Sequence, residues 1–103
     1  MPLDFAQVYE DGELTGPSVG FRQWQHRAVF EDLSDETYPL LARAKEYYED
    51  TFFRLNELKQ LQAEIRAVRS NQQDERIVEL LKRLEQLVSD AENRGYSVDV
   101  ISD

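Results

Sequence analysis

Ile77, Leu80, Leu84, Leu87 and Ala91 follow one another at intervals of three, four, three and four residues, and this run constrains the fold more than any other feature of the chain. Such spacing lays apolar side chains along one seam of a helix, in the manner of a coiled coil. Leu81 and Val88 widen the seam into a stripe, and Glu79, Lys82, Arg83, Glu85 and Asp90 occupy the remaining surface. Gly95 can adopt the left-handed conformation that ends helices, so the spacing predicts a helix over about 73–94.

A stripe of this kind needs a partner, and the preceding stretch supplies one. From Pro39, tolerable only in a first helical turn, to Arg69, nothing breaks a helix. Strong helix formers dominate the segment, and SNQQDE reads as the turn that follows it. Helices of roughly 48 Å and 33 Å would then pair antiparallel, with the longer one overhanging. Placed at 100° intervals, Leu40, Ala44, Tyr47, Tyr48, Thr51, Leu55, Leu58 and Ile65 share its inner stripe, with Phe52 on the margin.

The fold class expected from this pattern is mainly α. Residues 38–94 form a long antiparallel helical hairpin. Residues 1–37 supply a cover segment of strands or a short helix, and 95–103 a terminal strand or tail over the open end. LDFAQV followed by Asp11-Gly12 suggests a strand and turn. Residues 18–33 fit helical and strand spacing alike, with a short helix preferred. In the tail, Tyr96, Val98 and Val100 alternate as a strand does. The length suits a single domain, 1–103.

EYYEDTFFRL, residues 46–55, crowds four aromatic rings into seven positions, which a helix cannot bury together. On a helix Phe53 would stand opposite the apolar stripe, with Glu49, Asp50 and Glu57 as neighbours and Glu46 and Glu64 continuing the row. Such a ring could be covered by the N-terminal segment against Trp24 or Phe30. It could also lie in a self-association seam, or serve as an aromatic anchor rimmed by acid. The last reading makes Phe53, Glu46, Glu49, Asp50 and Glu57 the candidate partner-binding residues.

Charge narrows the choice of partner. The net charge is −9, from 21 acidic and 12 basic residues, and residues 1–38 alone carry a balance of −6. Phosphate backbones are repelled by such a surface, which disfavours direct nucleic-acid binding, whereas a basic protein is attracted. No apolar run approaches the roughly 18 residues of a membrane span, and the first residues lack a basic and apolar leader pattern, so a soluble cytoplasmic protein is expected.

Catalytic constellations are missing from the sequence. His26 is the single histidine, there is no cysteine, and no Glu-x-x-His pair or glycine-rich phosphate loop occurs. Asp90, Glu92 and Gly95 echo a calcium loop, but Arg94 and Ile101 fall where ligands would be needed. No enzyme activity, cofactor or metal is therefore expected. The expected function is that of a small acidic protein-binding module that blocks or escorts a basic partner, as immunity proteins, antitoxins and inhibitors do. The alternative is a scaffold subunit that self-associates, as a homodimer, through the hairpin.

Overall fold

In the computed structural model, which describes residues 3–46 and 50–102, the chain is an α+β fold rather than a mainly helical hairpin or coiled coil. Four strands, β1 (Leu3–Val8), β2 (Leu14–Phe21), β3 (Thr51–Phe53) and β4 (Ser97–Ser102), form one antiparallel sheet in the order β2-β1-β4-β3. Three helices, α1 (Gln23–Phe30), α2 (Leu58–Ser70) and α3 (Glu75–Arg94), bury their apolar sides against one face of it.

The β1–β2 hairpin follows from Asp11-Gly12. Gly12 sits at φ +89°, Asp11 accepts the Glu13 N–H at 3.0 Å, and Tyr9 and Glu13 close the turn with a 2.8 Å backbone bond. Along β1, Leu3 and Phe5 face the helices. Their cross-strand partners do the same, Phe21 and Val19 on β2 and Val100 on β4. Phe5, Phe21 and Phe30 pack with ring centroids 5.5–6.4 Å apart.

α3 matches its seam: Ile77, Leu80, Leu84, Leu87 and Ala91 are all buried, and Gly95 caps it at φ +77°. Its N-cap is Asp74, whose carboxylate accepts the Arg76 N–H at 2.9 Å. α2 contributes Leu58, Leu61, Ile65 and Val68 to the core. The two helices run antiparallel, pinned on their outer side by Gln62–Glu92 at 3.0 Å and by Arg66 and Arg69 on Glu85 at 3.0 and 2.9 Å.

The first helix of the expected hairpin begins 20 residues later than its composition allows, at Leu58 instead of near 38. Residues 41–44 form one 3₁₀ turn and 55–57 another, and β3 lies between them. Burial explains the change. A continuous helix would leave Phe53 outside, whereas a strand turns Thr51 and Phe53 inward and Phe52 outward, as β-branched and aromatic residues favour. Leu55, expected on the inner stripe, is consequently exposed, whereas Leu61 and Val68 are buried. Tyr47 and Tyr48 lie outside the described residues. The expected cover segment is part of the sheet itself: residues 3–8 and 14–21 are two of its strands, and 23–30 form the short helix α1. Residues 97–102 form a strand, with Val98 and Val100 buried.

Candidate functional site

Of the five residues expected to bind a partner, the four that are described do not share one face. Phe53 is fully buried, in contact with the core from β3, and the Arg43 guanidinium covers its ring at 4.8 Å. The same guanidinium donates to Glu57 at 2.8 Å, so Glu57 belongs to a lid over Phe53 rather than to a docking rim. This bond and the Arg54 N–H, which Glu57 accepts at 2.9 Å, hold the Glu57 carboxyl below the ordinary carboxylate range, the backbone bond contributing most. Glu46 and Asp50 are exposed, and Glu49 lies outside the described residues. Glu64 is buried, accepting the Leu40 and Leu41 N–H groups at 3.1 and 2.9 Å. Phe53 is therefore structural, and the search for an exposed aromatic beside acid moves one residue back.

Phe52 is that aromatic. Strand alternation places it on the sheet face turned away from the helices, 45% exposed. The register identifies its neighbours: Asp4, Ala6 and Val8 on β1, Ser97, Asp99 and Ile101 on β4, and Leu14, Ser18 and Gly20 on β2. Ala6 and Val8 are buried but stand outside the core cluster between sheet and helices. They form a low apolar floor, with exposed Leu14 on one edge strand and Phe52 on the other. Across four strands the edges are separated by roughly 14 Å.

Phe52 and Asp99 are direct cross-strand partners, and Ala6 is the partner of Asp99 on its other side. Desolvation against this floor pushes the Asp99 carboxyl above the ordinary carboxylate range, and the charge of Asp50 adds to the effect. Asp50 is itself held in place by the Ser102 N–H, whose bond to its carboxylate is 2.7 Å. The sheet face thus combines an exposed ring with carboxylates whose mutual repulsion a cation would relieve.

A recess lined by Tyr9, Glu10, Asp11 and Tyr96 also sets an exposed ring beside acid, but Arg94 lines it too and already supplies a cation. An open cleft of about 420 Å³ beside His26 is lined by Arg27 and Lys45 but also by Glu31 and Glu46, so its charges oppose one another. His26 is buried there, stacked on Phe30 at 4.6 Å, with Nε2 donating to the Ala44 carbonyl at 2.7 Å. Desolvation lowers its pKa, against weaker opposing effects of that bond and of Glu46. It is a packed histidine that ties α1 to the first 3₁₀ turn. Among the described residues no three carboxylate or histidine side chains converge on a possible metal position.

A sequence signal for the face did exist. The alternation that sends Val98 and Val100 inward sends Asp99 and Ile101 outward, and the same rule separates Phe52 from Phe53. No helix is long and apolar enough to cross a membrane among the described residues. No protein-family model, no curated protein and no solved structure matches this chain.

Proposed function

We propose that this chain is a small acidic protein-binding module that docks a basic protein partner on the helix-free face of its sheet, and thereby blocks or escorts that partner in the cytoplasm. The observation that carries this reading is the pairing of exposed Phe52 with Asp99 over the Ala6–Val8 floor. Aromatic residues at the centre of a contact supply most of its energy, and surrounding charge steers the encounter.

The distribution of charge favours approach away from the helix pair. Residues 58–94, which hold α2 and α3, carry seven basic and seven acidic side chains. The whole net charge of −9 therefore resides in the remainder of the chain. A cationic protein is drawn toward the sheet and loops rather than the helix pair. A second copy of the chain would bring the same carboxylates face to face, so charge favours a heterologous basic partner over self-association. A binding role also fits a face built of apolar floor and fixed carboxylates better than a catalytic one does.

Affinity capture from the source organism tests the reading. Immobilised protein should retain a basic protein that elutes with added salt, because screening weakens the steering field. A Phe52→Ala column should lose it, since removing an anchor costs at least about 1 kcal/mol of binding. If both columns retain the same proteins with the same salt profile, docking on this face is refuted.

A further inference from the structure

The chain contains two arrangements in which an aromatic ring, a carboxylate and an arginine form a unit. Arg43 lies 4.8 Å over the Phe53 ring while donating to Glu57 at 2.8 Å. Arg76 lies 4.9 Å over the Trp24 ring while bonded to both carboxylate oxygens of Asp74, at 3.3 and 3.0 Å. Each guanidinium lies over a ring while its N–H groups donate to an acid, a combination its planar shape permits.

Phe52 and Asp99 are a third ring–carboxylate pair, set side by side by the β3–β4 register. Among the described residues no arginine stacks on Phe52 and no ion pair reaches Asp99. On the far side of Asp99 stands Ala6, part of the apolar floor from which a guanidinium would reach the carboxylate. We propose that an arginine of the partner completes this third unit, its guanidinium stacked on Phe52 and donating to Asp99, which makes the face selective for arginine over lysine. The inference rests on the reading that the sheet face binds a basic protein, and adds the side chain that is recognised.

Lysine would satisfy the charge but not the geometry. Its ammonium is a compact, strongly hydrated point charge, so it gives up more water to sit on a ring and cannot offer a flat face and a donor edge together. Asp50 supports the choice by adding negative potential beside Asp99.

The test uses two probes of equal charge, acetylated hexa-arginine amide and hexa-lysine amide, titrated at low salt into isotope-labelled protein and followed by amide and Phe ring shifts. Hexa-arginine should bind about two- to five-fold more tightly, the margin of an exposed cation–π contact, with changes concentrated on Phe52, Asp99 and Ile101. Phe52→Leu, which keeps the apolar bulk and removes the ring, should reduce hexa-arginine to the level of hexa-lysine. Asp99→Asn should do so as well. Equal affinities that centre on the sheet face and ignore Phe52→Leu would overturn the arginine selectivity while leaving the docking face intact. Changes confined to the acidic stretches 10–13 and 31–36, or none at all, would overturn both.

Discussion

Phe52 and Phe53 differ by one position and by everything else. Phe53 fills the core from β3 beneath Arg43, so Phe53→Ala should cost about 3 to 5 kcal/mol of stability. Phe52 is on the open face, and Phe52→Ala should change stability by less than about 1 kcal/mol. Urea denaturation of the two variants measures this contrast, and a large loss for Phe52→Ala would mean that its face is covered in the free protein. The sequence already marked this stretch as one where rings could not all point one way. It did not show which ring was the outsider, because the angular positions were counted on a helix that residues 50–54 do not form. Asp50 kept its place near the candidate site under both geometries, whereas Glu57 and Glu64 exchanged an expected solvent-facing role for structural ones.

At the scale of elements, legibility followed length. α3 has 20 residues, enough repeats of its seam for the period to speak unambiguously, and its Gly95 C-cap agrees with the pattern. β3 has three, which is too few for any period, and it lies within a run whose local propensity also permits a helix. What stops α2 from extending backward is tertiary: the buried Glu64 carboxylate on α2 accepts the N–H groups of Leu40 and Leu41, and Gln60 supports it at 2.9 Å. The segment expected to continue the helix is thereby folded back onto its side. Glu64→Ala should cost about 2 to 4 kcal/mol by leaving those donors unmatched. Exchange of the Leu40 and Leu41 amides should accelerate before that of α3, and Glu64→Gln, which retains an acceptor oxygen, should recover part of both effects. Unchanged exchange at these two amides would show that another contact holds the turn.

For the molecule as a whole, two groups give opposite contributions to stability as pH changes. The His26 imidazole has a folded pKa below its ordinary value of about 6.5, so the unfolded chain takes up the proton first and stability is lost as pH falls through that region. Asp99 has a folded pKa above its ordinary value of about 3.9; the unfolded chain ionises first, and the cost is complete at neutral pH and vanishes as pH falls below that value. Thermal melts from pH 7 to 4 should therefore show His26→Gln, whose amide can still donate to Ala44, with a shallower decline below pH 6.5 than the parent. Asp99→Asn should melt above the parent at pH 7, by a margin that closes toward pH 4. A constant margin would place the benefit in something other than the charge. At neutral pH the charge of Asp99 on the open face therefore opposes folding.

The strand order has a consequence for the time course of synthesis. β4 is translated after every other described element, yet it lies between β1 and β3. Until residues 97–102 emerge from the ribosome, β3 has no neighbour to pair with, and Phe53 and the inner sides of β1 lack the valines that complete their packing. The helix pair, built from local contacts, can form earlier, but the sheet closes in a single late step. Phe52 and Asp99 are brought side by side in that same step, so a nascent chain cannot present the ring and the carboxylate together before β4 has paired.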